Sequence, residues 1–458
     1  MVISSEKVCI IGAGSSGIAA CRALKARGIG YDCFEAGSAI GGNWRYQNDN
    51  GMSSAYRSLH INTSRDLMAY ASYPMPAELP DFPNHFQIAQ YFDDFVDHFG
   101  LRETITFRTE VVSVAPASGT NGAAANADSA AGAWDVTTRH RDTGEVATNR
   151  YSAVLIANGH HWNPRWPEPA FPGADTFTGE QVHAHYYKTP ESYAGKRVLV
   201  LGIGNSACDI AVETSYVSER TFLAMRRGAY VVPKYQFGKP FDSLVKTPLG
   251  KMPFPVQRLL TGLALRIVQG KVTDYGLPQP DHRPLEAHPT VSADLLNRLG
   301  HGEITVKPCI DRLDGDTVHF TDGSTERIDI VVYCTGYKIS FPFLADGLVA
   351  ATDNKVDLYR RVVDPAHPGL YFVGLVQPIG AIMPIAEAQS EWLADLLDGT
   401  CALPPEAEMR RSIADYDRVL AKRYVASKRH TIQVDFNSYL AELRRERRAG
   451  RRRTAGRP

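Results

Sequence analysis

Two glycine-rich turns contain the residues whose types and spacing could do chemistry in this sequence. GAGSSG occupies residues 12–17 and GIGNSA occupies residues 202–207, and each follows a short apolar run and precedes a stretch with helical spacing. A glycine turn in this position lets the backbone approach a pyrophosphate, and the N-terminus of the following helix supplies partial positive charge. The pattern is typical of dinucleotide-binding sites, and it occurs twice.

The first turn has every residue type that such a site requires. Gly12 permits the tight bend, Gly14 lets the backbone approach the phosphates, and Gly17 allows the helix predicted over Ile18–Lys25 to pack closely. Ser15, within the turn, is a further candidate for cofactor contact. A second apolar run ends in Glu35, at the offset where an acid binds a ribose hydroxyl. The sequence therefore predicts a nucleotide at these residues.

The residues after Glu35 narrow the identity of that nucleotide. Gly41 and Gly42 form a second glycine patch, which Asn43 and Trp44 follow directly. Paired glycines followed by a tryptophan are more typical of a loop that passes close to a large ligand than of an ordinary surface turn. A second patch so soon after the first favours FAD.

The second turn predicts a second nucleotide, held by Gly202, Gly204, Asn205 and Ser206. Ala207 replaces the third glycine of the pattern, and only a small residue is required there. The strand after this turn ends in basic residues instead of an acid. We therefore expect a nucleotide that carries an extra phosphate.

The basic residues in question are Arg226 and Arg227. A guanidinium group at this position binds a 2′-phosphate through charge-assisted, forked hydrogen bonds. NADPH is thus favoured over NADH, with Arg226 as the phosphate contact. The alternative is a pair of arginines that are merely exposed.

Four other residues are candidates for cofactor contact. Asn62 lies in a loop rich in aromatic residues and proline, where it either faces a flat ring system or caps a turn; both interpretations remain open. Thr335 and Gly336 follow a buried strand, and Gln377 lies in a loop before a long apolar helix. Loops at strand ends are the usual place for ligand contact in an open α/β sheet.

The elements that position these residues indicate an α/β fold with two Rossmann-like dinucleotide-binding domains, the NADPH domain being inserted into the FAD domain. The predicted boundaries are 1–173 for the first part of the FAD domain, 174–330 for the NADPH domain and 331–443 for the second part of the FAD domain. Residues 444–458 are rich in arginine and are predicted to form a disordered tail. The alanine-rich stretch 115–133 is predicted to be a solvated loop.

Composition excludes several function classes. The chain has 458 residues with 50 basic and 50 acidic side chains, so charge gives no reason to expect a nucleic-acid partner. No apolar run of about 18 residues occurs and the N-terminus leads directly into a strand, so we expect no membrane partner and a cytoplasmic location. The seven cysteines are scattered without metal-ligand spacing, which predicts neither a metal site nor a redox-active pair.

A spaced motif just before the second turn resembles the identifying motif of the flavin-containing monooxygenases. It consists of Phe177, Gly179, His183 and Tyr187. The resemblance covers nearly the whole chain through GAGSSG, GGNW, NTSRDLM, LPDFPN, GIGNSACDIA, RRGAY, CTGY and RYVASKRHTIQVDFNSYL. In the related Baeyer–Villiger monooxygenases the motif usually ends in Trp followed by Pro or Asp. Here Lys188 follows Tyr187, which favours the N- and S-oxygenating branch.

This resemblance implies a cycle in which NADPH reduces FAD, NADP⁺ stays bound, and O2 adds to the reduced flavin at C4a. The resulting hydroperoxide would oxygenate a soft nucleophile, either a tertiary amine or a sulfide. Asn62 matches the family asparagine that hydrogen-bonds the oxygenated flavin, and we expect it to be the catalytic residue. His183 is expected to fix the interdomain linker and not to move a proton.

Three other functions remain open. A Baeyer–Villiger monooxygenase would oxygenate a ketone, and an NADPH oxidase would release peroxide. A protein that only senses nucleotides would keep both turns, but the 41–44 patch and Asn62 argue against it. The sequence also leaves open the physiological substrate and whether the protein forms a homodimer.

Overall fold

The computed structural model describes residues 7–117, 132–246, 252–287, 289–423 and 431–456. They belong to two compact units that alternate along the chain. The first unit comprises Met1–Ser53, Thr63–Trp162 and Lys338–Pro458, and the second comprises Ser54–Asn62 and Asn163–Tyr337. Of the alanine-rich stretch 115–133, residues 118–131 lie outside the described residues. Residues 115 and 116 end the strand Thr109–Pro116, so the predicted loop is wrong at these two positions.

The helices are α1 (Ser15–Lys25), α2 (Arg65–Met68), α3 (His85–His98), α4 (Asn205–Thr214), α5 (Phe254–Gln269), α6 (Leu295–Gly300), α7 (Met383–Leu397), α8 (Glu406–Arg423) and α9 (Phe436–Ala455). The strands are β1 (Val8–Ile11), β2 (Tyr31–Phe34), β3 (Ile105–Thr106), β4 (Thr109–Pro116), β5 (Trp134–His140), β6 (Val146–Tyr151), β7 (Ala153–Ile156), β8 (Glu180–His183), β9 (Arg197–Leu201), β10 (Arg220–Ala224), β11 (Val231–Val232), β12 (Tyr235–Gln236), β13 (Lys239–Pro240), β14 (Thr290–Val291), β15 (Ile304–Lys307), β16 (Ile310–Asp314), β17 (Thr317–Phe320), β18 (Thr325–Arg327), β19 (Ile330–Tyr333), β20 (Leu370–Phe372), β21 (Gln377–Ile379) and β22 (Gln433–Asp435).

The first unit is built on a parallel sheet in the order β20-β7-β1-β2-β3. All four residues of β1 and of β7 are buried, as expected of short apolar strands in a sheet covered on both faces. The antiparallel strands β4, β5 and β6 form a second sheet. Because α1 follows β1 directly, the first glycine turn lies at the carboxyl end of this parallel sheet.

The second unit repeats the plan with the strand order β15-β10-β9-β19-β8, again parallel. Helix α4 follows β9, so the second glycine turn also lies at the carboxyl end of its sheet. Both sheets thus place a glycine turn between a buried central strand and a helix. The predicted α/β class with two Rossmann-like domains is confirmed.

The domain boundaries in the structure differ from the predicted ones. The second unit ends at Tyr337 and not at residue 330, because β19 pairs with β9 and β8 of that unit. It also begins at Asn163, and it includes Ser54–Asn62, which the sequence had assigned to the FAD domain. The domain boundaries depend on strand pairing and side-chain contacts between residues far apart in the sequence. Local sequence patterns carry no information about such contacts.

The prediction of a disordered tail at 444–458 is wrong for the residues that the structure describes there, 444–456. Helix α9 continues to Ala455, and Glu446 and Gly450 within it are buried. The Arg447 and Arg451 side chains reach Asp395 on α7, at 2.9 and 3.0 Å. Composition gave only a run of positive charge, whereas the acids that neutralise it lie about fifty residues earlier in the chain.

Among the helices that the structure describes, none is both long enough and apolar enough to span a bilayer.

Candidate functional site

The first glycine turn forms the tight bend between β1 and α1. A side chain at Gly17 is excluded, because its Cβ would lie 1.8 Å from the carbonyl oxygen of Gly12. Gly14 is the N-cap residue of α1, and among the described residues no side chain caps this helix. The free N–H groups at the helix start are therefore available to an anion.

Glu35 lies directly beside this turn, immediately after β2. Its side chain is buried, and one carboxylate oxygen accepts a hydrogen bond from the Ala13 N–H at 2.8 Å. The other oxygen accepts from the Gly37 N–H at 2.8 Å and from the Asn50 side-chain amide at 3.1 Å. The acid is thus fixed next to the turn, where the sequence placed it, and Asn50 is a supporting residue that the fingerprint did not indicate.

The second glycine patch approaches the first turn closely. A Cβ on Gly42 would lie 3.1 Å from the Cα of Gly14, so the two glycines leave room for backbone contact with a ligand. Asn43 and Trp44 continue from Gly42 in a single short 3-10 turn, and both are half-buried. The structure therefore brings the Gly12–Gly17 turn, Glu35 and the 41–44 patch together in the first unit.

Tyr70 is a further residue of this region that sequence reasoning missed. Its hydroxyl donates to the carbonyl oxygen of Ser15 at 2.5 Å, within the first turn of α1. Tyr70 is buried and packs against Phe95 of α3, with ring centroids 4.5 Å apart. Its only signal in the sequence was its place shortly after the NTSRDLM motif.

The second turn has the same plan in the second unit. Gly204 is the N-cap residue of α4, and among the described residues no side chain caps this helix either. Ala207 is fully buried, which agrees with the requirement for a small residue there. Asn205 acts structurally through its side-chain oxygen, which accepts from the Val291 N–H at 2.8 Å. Ser206 follows it in the first turn of α4 and is half-buried.

The two arginines after β10 are both exposed but differ in their partners. Arg227 forms an ion pair with Asp281 at 3.4 Å. In the described part of the chain, Arg226 has no ion pair. Arg226 is thus a guanidinium group available to a phosphate, and its contact with the nucleotide stays a prediction.

Three predicted contact residues form hydrogen bonds within the protein, through a side chain or through the backbone. The Thr335 hydroxyl donates to the Arg165 carbonyl oxygen, and the Gly336 carbonyl accepts from the Arg165 N–H at 2.9 Å. Both lie after β19 in the second unit. Gln377 begins β21 in the first unit, where its N–H donates to the Ile432 carbonyl at 2.8 Å. Their contact with a cofactor stays a prediction.

Asn62 is half-buried and is the last residue of the 54–62 segment, which belongs to the second unit. His183 ends β8 and is completely buried, and its Nδ1 accepts from the His185 N–H at 3.1 Å. Burial lowers the pKa of His183 to about 4, so the imidazole is neutral at pH 7. A neutral, buried imidazole agrees with the expected structural role.

These residues fit the two predicted cofactors. In the first unit, an uncapped helix start, a fixed acid and two closely approaching glycines match an FAD pyrophosphate and ribose. In the second unit, an uncapped helix start and an unpaired arginine at the end of the next strand match NADPH. A chain with both features is a two-nucleotide oxidoreductase.

Comparison with known proteins narrows this class. The profile of the Flavin-binding monooxygenase-like family matches residues 5–449. Flavin-containing monooxygenase 5 of Oryctolagus cuniculus is 38% identical over 455 residues, covering 96% of this chain and 82% of the relative. The N-oxide-forming dimethylaniline monooxygenase 2 of Rattus norvegicus is 34% identical over 451 residues, with the same coverage.

Solved structures agree in fold. The S-allyl-L-cysteine S-oxygenase of Allium sativum superposes with a TM-score of 0.70 at 26% identity, covering 98% of this chain and 92% of that chain. A cyclohexanone monooxygenase superposes with a TM-score of 0.71 at 19% identity, covering 98% of each chain, and shows the shared fold. This chain belongs to the flavin-binding monooxygenase family. It is an oxidoreductase that uses FAD and NADPH.

Proposed function

We propose that this protein is an NADPH- and O2-dependent monooxygenase of soft nucleophiles, with a tertiary amine nitrogen or a sulfide sulfur as the oxygenated atom. The observation that carries the proposal is the 34–38% identity, over 96% of the chain, to relatives that include an N-oxide-forming monooxygenase. The likeness to an S-oxygenase supports the same substrate chemistry. A cytoplasmic location stays a prediction, and whether the protein forms a homodimer stays open.

The chain's own residues would divide the work between the two units. In the first, the Gly12–Gly17 turn and the N-terminus of α1 bind the FAD pyrophosphate, while Glu35 binds the ribose. In the second, the Gly202–Gly204 turn and Arg226 bind NADPH. The bound flavin supplies the redox chemistry and the activation of oxygen. Few proton transfers by side chains are needed.

Asn62 is the residue proposed to act on the reacting atoms. Its amide can donate a hydrogen bond to an oxygen atom at the flavin and hold it in place, which slows its loss as peroxide. Asn62→Ala should therefore retain flavin reduction by NADPH and lose oxygenation. Loss of bound FAD in this variant would instead mean that Asn62 is structural.

The decisive experiment is rapid mixing of the protein, reduced by NADPH without oxygen, with O2 and no substrate. The proposal predicts a persistent flavin spectrum that differs from both the reduced and the oxidised form. Products from N,N-dimethylaniline, methyl phenyl sulfide and cyclohexanone are then identified separately. An ester from the ketone alone would indicate a Baeyer–Villiger enzyme, and immediate peroxide release with no product would indicate an oxidase.

A further inference from the structure

The 54–62 segment interrupts the first unit in chain order but packs within the second unit. Two of its hydroxyl groups bind helix α4. The Tyr56 hydroxyl donates to the Asp209 carboxylate, and the Ser58 hydroxyl donates to the Glu213 carboxylate. Asp209 and Glu213 are four residues apart, so both acids project from one face of the helix. The segment is therefore fixed to α4 at two successive turns.

Main-chain contacts hold the same segment on its other sides. The Arg57 N–H donates to the Lys188 carbonyl at 2.9 Å, and the Lys188 ammonium donates to the Ala55 carbonyl at 3.1 Å. The Lys234 ammonium donates to the Ile61 carbonyl at 3.3 Å, next to Asn62. Lys188 is the residue that follows the family motif, so that motif takes part in holding the segment.

The tyrosines of the anchor on α4 are buried, whereas Ser58 lies at its exposed edge. Tyr187, the last residue of the motif, donates to the second Glu213 oxygen at 2.5 Å, and its ring packs against that of Tyr56 with centroids 5.9 Å apart. Tyr56 and Tyr187 are almost fully buried. A satisfied hydrogen-bond network in a buried region specifies one geometry, because any displacement leaves polar groups without partners.

Helix α4 is also the helix whose N-terminus faces the predicted NADPH phosphates. We propose that Asp209 and Glu213 are positioning residues that fix Asn62 relative to the bound nicotinamide nucleotide, acting through Tyr56 and Ser58. This inference rests on the proposed function, in which Asn62 acts on the oxygen at the flavin. It assigns to α4 a second task besides phosphate binding.

Weakening the anchor should affect the reduction of the flavin by NADPH and its later reaction with oxygen differently. Flavin reduction needs the bound nucleotide, and none of the anchor contacts involves the turn at 202–207. The fate of oxygen depends on the placement of Asn62. Weakening the anchor should therefore leave reduction intact and increase the fraction of NADPH that ends as peroxide.

The test uses Tyr56→Phe and Asp209→Asn in the full-length holoenzyme. With methyl phenyl sulfide as substrate, we expect peroxide per NADPH to rise roughly tenfold in Tyr56→Phe, the factor for one lost hydrogen bond to a charged group. The rise should be smaller in Asp209→Asn, whose amide oxygen can still accept from the Tyr56 hydroxyl. The anaerobic reduction rate should stay within about twofold in both variants. Tyr151→Phe is the matched control, because its hydroxyl donates to Asp32 at 3.1 Å in the first unit. Equal peroxide release from this control would overturn the proposal.

A double-mutant cycle identifies the route of the effect. In an Asn62→Ala background, Tyr56→Phe should not further speed the return of oxidised flavin when O2 is mixed with the reduced protein, because the anchor acts through Asn62. An undiminished further acceleration would show that the anchor acts elsewhere, which contradicts the proposal. Should Asp209→Asn fail to fold, Tyr56→Phe, which removes a single oxygen atom, carries the test.

A second readout does not depend on oxygenation. Hydrogen exchange of the amides at 55–61 should slow when NADP⁺ binds to the wild type, because the nucleotide stabilises α4 and the segment attached to it. The slowing should be lost in Tyr56→Phe. If the protein forms no oxygenated product, the proposed function fails while this readout still decides the anchoring. If NADP⁺ does not change the exchange rate of these amides in the wild type, the proposed anchoring is wrong.

Discussion

At the residue scale, neighbours that look equivalent in the sequence have different surroundings. Arg226 and Arg227 are adjacent and both exposed, but Arg227 is bound to Asp281 at 3.4 Å. An arginine that already has a carboxylate partner gains less from a phosphate than one without. Arg226 is therefore our candidate for the contact that would distinguish NADPH from NADH.

Replacing Arg226 with Ala should raise the KM for NADPH roughly tenfold, since a charge-assisted hydrogen bond to the 2′-phosphate is lost. The KM for NADH should hardly change, because NADH has no such phosphate. Steady-state kinetics with both nucleotides measure the effect. Arg227→Ala is the matched control; a larger effect there would reassign the phosphate contact.

Glu213 carries a pH dependence of stability. Burial raises the pKa of Glu213 from 4.5 to about 7, the nearby Asp209 and Glu191 charges add to the rise, and the Tyr187 hydrogen bond opposes it. Between these values the folded protein binds more protons than the unfolded chain, so the free energy of unfolding falls as pH rises through this window.

Glu213→Gln should make that fall between pH 4.5 and 7 shallower, because the glutamine does not titrate. Urea unfolding of the wild type and the variant at several pH values measures the slope. Glu219→Gln, an exposed acid beyond the end of α4, serves as the control and should leave the slope unchanged. Parallel pH profiles for the wild type and Glu213→Gln would contradict the assignment.

At the element scale, the two strand–turn–helix motifs share one arrangement but differ in whether the helix can carry a side chain where it packs against the turn. The helix after β1 packs so closely that a Cβ at Gly17 would overlap the Gly12 carbonyl. The helix after β9 accommodates the methyl group of Ala207 in a fully buried position. Equivalent positions of the two fingerprints thus obey different packing limits.

Gly17→Ala should therefore abolish or strongly weaken FAD binding, since α1 must shift away from β1. Ala207→Gly should retain FAD and change the KM for NADPH by less than about threefold, although glycine in a helix costs about 1 kcal/mol of stability. Flavin content after purification and NADPH kinetics are the measurements. Full flavin occupancy in Gly17→Ala would show that the turn has more freedom than the structure indicates.

At the scale of the whole molecule, the C-terminal helix completes the first unit. Asp395 of α7 has no exposed side-chain surface and is bound by Arg27 near the end of α1 and by Arg447 and Arg451 of α9. Gly450 lies against Cys401, where a Cβ would be 2.0 Å from the sulfur. Residues 447–451 of α9 are thus linked through Asp395 to Arg27, just beyond the end of α1.

Truncation after Leu443 should lower the free energy of unfolding by about 3 kcal/mol or more, because buried Asp395 loses two of its three arginine partners. Denaturant unfolding followed by flavin release measures the change. Arg447→Ala should reproduce much of the loss, whereas Arg452→Ala, which removes the same charge from an exposed position, should not. An unchanged midpoint after truncation would support the disordered tail predicted from composition.

The sequence by itself determined the fold class and the two cofactors. Glycines at 12, 14 and 17 and at 202 and 204, with an apolar run on one side and helical spacing on the other, are local features that are typical of dinucleotide-binding turns. The position of Glu35 beside the first turn could also be predicted, because Glu35 lies only one helix and one strand after that turn in the sequence. These features lie within about 35 residues of each other in each unit.

The tertiary structure alone decided which distant groups meet. It placed residues 54–62 on α4, gave the arginines of α9 their acidic partners, and used the Thr335 hydroxyl for the Arg165 carbonyl. Each case is a polar group whose partner lies far away in sequence. Periodicity and composition record whether a residue is polar, but the partner that neutralises it is fixed only when the chain folds.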